Sequence, residues 1–406
     1  MKKRLSVLLV ALFIFIVLTP MGAFGKETIK IGLITALSGH GAPYGVPHAS
    51  GTKVAVEEIN KRGGILGRQV EIIVRDHQSK SEVASRQAVE LITKNKVDFL
   101  TGTVYSSCGL AISAVAKRHR VLFLDVGVRA TSLTEEQGHR YVASLAVDTV
   151  YEGRAMATYD KDTPNKRYWI IGSDYAYGRE AAQYFKEKIK ELKPDSEILG
   201  ETWVQMGETD FTAPIASIAR AKADMIISFL ITGAFQSFTM QARPYGLLEK
   251  PIISVPIIMQ TELVRPLGKS FPDNLIGTTQ YIEGFFNTPE AKAFEKVYLE
   301  TTKEEFVPSC GFIGYLGITV LAQVIREIGT TETESVVEAL KGFTADTAIG
   351  KITIRDCDLR SNKGEFWGIS KYDPKLGYSV LTNVKYIPAK GDLRHTCEEV
   401  RATRSE

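Results

Sequence analysis

The stretch Val97 to Thr131, VDFLTGTVYSSCGLAISAVAKRHRVLFLDVGVRAT, constrains this chain more than any other. It reads as a short apolar strand ending at Gly102, a polar turn at Tyr105, Ser106 and Ser107, and a helix from about Gly109 to His119. A second strand over Val121 to Leu124 and a loop from Gly127 to Thr131 follow. Such a crossover calls for a parallel sheet covered by helices. In such sheets small ligands settle beyond the carboxyl ends of the strands, and both loops fall at that edge. Ser106 and Ser107 bring hydroxyls beside the unpaired N–H groups of a helix start, and Arg129 brings a planar cation, so the edge suits a carboxylate. The same residues also fit plainer roles, as helix caps and a surface ion pair.

The alternation extends in both directions. Before the central stretch come strand Ile29 to Ile34, the loop Ser38 to Gly45, a helix through Val54 and Ile59, strand Val70 to Val74, and a helix burying Val83, Ala84, Ala88, Leu91 and Ile92. After Val147-Asp148 a second run of the same kind reaches strand Leu275 to Thr278, by way of a loop at Ser173 to Gly178 and helices at Glu180 to Leu192 and Phe235 to Tyr245. Two long helices from Pro289 onward should return to the first half, and the turn-rich tail from Ile349 should cross again. The fold class is therefore α/β: two Rossmann-like lobes with parallel-rich sheets, joined by a three-stranded hinge. The expected division is lobe 1 at 26–146 plus 279–356, lobe 2 at 147–278 plus 357–390, and a tail at 391–406.

MKKR followed by an apolar run and Ala23-Phe24-Gly25 has the layout of a secretory signal peptide over residues 1–25, and no other segment reads as a membrane span. Export to the periplasm follows. With 50 basic and 47 acidic residues there is no electrostatic support for nucleic-acid binding. The six histidines are scattered, Tyr44 interrupts the glycine series at 39 and 41, and no nucleophile elbow is visible, so no metal, cofactor or catalytic activity is expected. Of the four cysteines, Cys357 and Cys397 are candidates for a disulfide in an oxidising compartment, and Cys108 and Cys310 fit small buried groups.

Five stretches taken in register carry a resemblance: IKIGLITALSGHGAPYG at 29–45, INKRGGILGRQVEIIVRD at 59–76, FLTGTVYSS at 99–107, SDYAYGREA at 173–181, and SIARAKADMIISFLITGAFQSFTMQARPYGL at 217–247. They resemble the leucine/isoleucine/valine-binding family, the type I two-lobed solute receptors of ABC importers. The resemblance implies a cleft that closes over a small carboxylate-bearing solute and a monomer that delivers it to an inner-membrane permease and ATPase complex. It implies that the turn Tyr105-Ser106-Ser107 binds the carboxylate, that Gly127, Val128 and Arg129 assist, that Tyr44 lies at the rim, and that Tyr177 covers the ligand. Similar bilobed modules also serve as sensors for signalling partners, which is the alternative. Family members that bind amino acids place an acidic residue after the strand matching 252–255, whereas this chain has Pro256-Ile257-Ile258-Met259, and the loop before Thr232 lacks the usual tyrosine. An unpaired buried ammonium is costly, so an aromatic or aliphatic acid lacking an amine is expected unless Glu262, Asp148 or Glu283 reaches in. The segment around Cys357 also resembles a cysteine-bearing tail strand in some members, which favours its pairing with Cys397.

Overall fold

The computed structural model describes residues 28–249, 252–254 and 258–404. The leader expected at 1–25 and Ile257 lie outside them.

The first lobe is built from β1 (Ile29–Thr35), α1 (Ala42–Lys61), β2 (Val70–Asp76), α2 (Ser81–Thr93), β3 (Phe99–Gly102), α3 (Ser106–His119), β4 (Phe123–Asp125) and β5 (Val142–Ser144). Its five strands are all parallel, in the order β2-β1-β3-β4-β5. Strands β3, β4 and β5 are buried along their whole length, as a sheet covered on both faces requires. Two helices start earlier than the sequence suggests. Pro43 presets the first turn of α1, so Tyr44 and Gly45 are helical instead of loop residues. α3 starts at Ser106, so both serines belong to its first turn.

The chain then enters the second lobe with α4 (Thr149–Asp160), β6 (Arg167–Ser173), α5 (Ala176–Leu192), β7 (Glu197–Val204), α6 (Thr212–Ala221), β8 (Met225–Phe229), α7 (Thr232–Ala242), β9 (Ile252–Ser254), α8 (Thr261–Val264) and β10 (Leu275–Thr279). It returns with α9 (Pro289–Thr302), α10 (Ser309–Ile328), α11 (Thr333–Ala339) and the hairpin β11 (Thr344–Thr347) and β12 (Gly350–Thr353). A third passage leads to β13 (Glu365–Asp373), β14 (Tyr378–Ile387) and the tail helix α12 (Cys397–Thr403). The second sheet runs β14-β13-β10-β9-β8-β6-β7, with β13 and β14 as an antiparallel edge on a parallel core.

α9 and α10 pack on α1, where Val54, Ile59, Phe294, Phe312 and Leu316 share one apolar core. The helices approach closely because glycines face each other: a Cβ on Gly51 would lie 1.8 Å from the Gly311 carbonyl oxygen. α10 is long and apolar enough to cross a membrane, contrary to the reading of the sequence. Its burial against α1 makes it a core helix of this lobe.

Cys357 and Cys397 are disulfide-bonded. Cys108 and Cys310 are free and buried. The bond fastens α12 to the third passage, and the tail reaches both lobes. His395 Nδ1 lies 2.7 Å from Glu135 in the first, while Arg154 on α4 donates to the carbonyl oxygens of Asp392 and Arg394.

Candidate functional site between the lobes

Three helices begin at the same place. α3 follows β3 in the first lobe, and α5 and α7 follow β6 and β8 in the second, so all three start at the carboxyl ends of parallel strands. A helix start leaves N–H groups without intrahelical acceptors, and Ser, Thr, Asp or Asn normally caps them. Here the cap positions are held by Tyr105, Tyr175 and Ile231, none with a capping side-chain bond. These residues line one interlobe cavity together with Tyr44, Val104, Arg129 and Tyr177. The lobes lie closed over it, and its volume is about 20 Å³. Ring contacts run across the gap, from Tyr105 to Tyr175 at 6.3 Å between centroids and on to Tyr177 at 5.7 Å. No carboxylate lines this cavity among the described residues.

The Tyr105 loop is supported from beneath. The His77 Nε2 and Thr103 hydroxyl are 2.6 Å apart, and the His77 ring meets Tyr105 edge-on. Burial lowers the His77 pKa to about 4, and burial with the nearby His77 lowers that of His48 to about 3, so both rings are neutral supports.

Tyr44, Tyr105, Arg129 and Tyr177 meet at the cavity, and Tyr44 is buried in its wall where a rim position was expected. The Ser106 hydroxyl accepts the N–H of Ala130 and ties the two first-lobe loops together. Ser107 is half-buried in the same turn, and its hydroxyl makes no hydrogen bond among the described residues. Gly127 and Val128 are not brought to the cavity. Their N–H groups are held by the Asp125 carboxylate, and a side chain at 127 would collide with the Thr103 carbonyl at 2.6 Å. Burial pushes the Asp125 carboxyl up to about 6. Thr232 opens α7 directly after the lining residue Ile231.

Arg129 differs most from expectation. Its guanidinium is not a free fork: Nη1 donates to Glu152 on α4 and Nη2 to Glu365 on β13. All three side chains are buried, and Oε2 of each glutamate has no partner. The Tyr177 hydroxyl is close to Glu152 but not in hydrogen-bonding geometry with it. Burial, with Glu365 nearby, raises the Glu152 carboxyl to about 8 against the pull of Arg129. Lys363 donates to Gln280 at 3.0 Å, and burial lowers its ammonium to about 8.

The three carboxylates weighed as partners for a ligand ammonium are spent on structure. Glu262 accepts the N–H groups of Ser309 and Cys310 at the start of α10, and Glu283 accepts that of Val307. Asp148 caps α4 and pairs with Arg394 at 3.4 Å. Sequence reasoning missed Tyr175, Val104 and Ile231 in the lining and Glu152 and Glu365 behind Arg129. Tyr175 had a usable signal, because it follows β6 immediately before a helix, as Tyr105 follows β3.

Two α/β lobes closed over a cavity at their strand ends define a two-lobed solute-binding protein. The chain belongs to the periplasmic binding protein family, whose model matches residues 28–364. It is 27% identical over 331 residues to the Leu/Ile/Val-binding protein BraC3 of Rhizobium johnstonii, which covers 80% of this chain and 87% of that relative. The leucine-binding protein LivK of Thermotoga maritima shares the fold at a TM-score of 0.78 and 24% identity, over 88% of this chain and 98% of that one. A solute-binding protein of an R. palustris ABC transporter, solved with 4-hydroxybenzoate, does so at 0.81 and 20%, over 90% and 98%. The protein is thus a binding protein of the branched-chain amino acid transporter type and not an enzyme.

Proposed function

We propose that the protein captures a small organic acid lacking an α-ammonium, aromatic or branched aliphatic, in the interlobe cavity. The acid is then delivered to an inner-membrane permease and its ATPase. One observation carries this reading: the uncapped starts of α3, α5 and α7 face a cavity lined by four tyrosines and, among the described residues, by no carboxylate. Helix starts favour an anion, and tyrosine faces favour a flat apolar body. The free Ser107 hydroxyl lies at the start of α3, where the carboxylate docks, and Tyr177 covers the ring. An ammonium would have no counter-charge there and would cost several kcal/mol to bury.

Export through the leader at 1–25 and a monomeric state complete the proposal. The lobes divide at the three passages between the sheets, near 146, 278 and 356. Opening about these passages admits the solute, and closure presents a shape the permease reads.

Isothermal titration of the ligand-stripped mature chain with 4-hydroxybenzoate, 3-methylbutanoate and leucine tests the reading. Saturable binding of either acid with leucine much weaker is the expected result. Tight leucine binding with no response to the acids overturns it.

A further inference from the structure

A cavity of about 390 Å³ lies on the second lobe and shares no residue with the interlobe cavity. Its floor is one face of the β13–β14 ribbon, where Trp367 and Lys385 are directly opposed in the antiparallel register and therefore stand side by side. Its wall is the α4 face bearing Ala155, Thr158 and Tyr159, and Leu393 of the tail closes one end. The Tyr159 and Trp367 rings are stacked, with centroids 6.0 Å apart and planes 22° from parallel. Trp367 Nε1 donates to the Tyr151 hydroxyl, so the polar edge of the indole is satisfied inside the protein; the indole is 1% exposed, and the half-buried Tyr159 is the ring that the cavity meets.

The charge in this cavity has one sign. No acidic residue lines it, and the Lys385 ammonium at its rim has neither a hydrogen bond nor an ion pair among the described residues. The volume lies in the range of sites for small organic ligands, about 300–1,000 Å³. One half-buried aromatic ring, Tyr159, with apolar sides and a single free cation at the edge together describe a complement to a flat ring carrying one carboxylate.

We propose that this cavity is a second ligand site, which takes a planar aromatic carboxylate with its ring against Tyr159 and its anionic group at Lys385. The site stands apart from the interlobe cavity and does not depend on what that cavity binds.

The probe is 2-naphthoate, titrated by calorimetry into the full mature protein and into three variants. Lys385→Met removes the cation at an exposed position, Thr158→Trp fills the cavity, and Tyr105→Ala alters only the interlobe cavity. The expected result is a saturable event that Lys385→Met weakens about tenfold, the loss of one charge-assisted hydrogen bond, that Thr158→Trp abolishes, and that Tyr105→Ala leaves in place. Absence of a saturable event at millimolar probe, or an isotherm that neither Lys385→Met nor Thr158→Trp changes, overturns the proposal. An event that only Tyr105→Ala removes also overturns it and assigns the probe to the interlobe cavity.

Discussion

Arg129 of the first lobe donates to Glu152 of the second, the two side chains being 6% and 0% exposed, and Glu365 holds the remaining terminal nitrogen of the same guanidinium. Two carboxylates behind one cation leave Arg129 fixed in the cavity wall. The two ends of this cluster are not equivalent to mutation. Arg129→Ala leaves the buried Glu365 carboxylate without a counter-ion and the Glu152 carboxyl without its donor, and should cost about 3–5 kcal/mol. Glu152→Gln leaves Arg129 paired with Glu365 and should cost about 1–2 kcal/mol. Urea unfolding midpoints of the two variants measure this, and equal losses would contradict the arrangement.

Solute affinity should depend on pH near 8. Glu152 loses its proton and Lys363 its positive charge in the same region, since the one is raised and the other lowered to about 8. Both changes make the cluster around Arg129 more negative as pH rises. An acid bound through its carboxylate should therefore bind more weakly at pH 9 than at pH 7, by about fivefold or more for a change of roughly 1 kcal/mol. Calorimetry at four pH values across this range checks it, and a flat profile would remove the cluster from the recognition of the anion.

Acid should loosen the Tyr105 loop. The folded pKa values of His48 and His77 lie at about 3 and about 4, below the ordinary 6.5. The unfolded chain therefore takes up protons first, and the stability these rings contribute is complete above about pH 6.5 and lost as pH falls toward 4. Asp125, raised to about 6, tilts the other way, so the comparison needs a variant. His77→Asn should flatten the fall in unfolding midpoint between pH 7 and 4.5 relative to the parent chain. Parallel pH curves for the two proteins would refute this.

Reduction should destabilise the hinge side of the molecule. The Cys357–Cys397 bond closes a loop with a sequence separation of 40, for which chain entropy gives an upper value of about 4 kcal/mol. Cys397→Ser should lower the melting temperature and abolish its sensitivity to reductant. A melting temperature unchanged by reductant in the parent chain would show that the ion pairs of Arg394 with Asp148 and Asp358 hold the tail alone.

Much of the architecture is legible along the chain because it depends on local order. Alternating strands and amphipathic helices with short connections require parallel sheets, and parallel sheets put Tyr105, Arg129 and Tyr177 at one edge. Neighbouring residues inform one another there, so pattern and spacing suffice. The pairing of Cys357 with Cys397 is legible only as a candidate, favoured by the resemblance of the segment around Cys357 to a cysteine-bearing tail strand. The partners of Arg129 are of another kind. Glu152 and Glu365 are 23 and 236 residues away and reach the guanidinium only after the chain has passed between the lobes once and three times, respectively. Whether Arg129 faces a ligand as a free cation or as one member of a buried cluster depends on which charges are desolvated together. Gly127 and Val128 carry the same lesson, since their N–H groups are taken by Asp125 inside the lobe. Local pattern places a loop at the cleft, whereas packing of distant segments selects which of its groups remain free there, because burial makes every unpaired polar group costly and draws in the nearest partner.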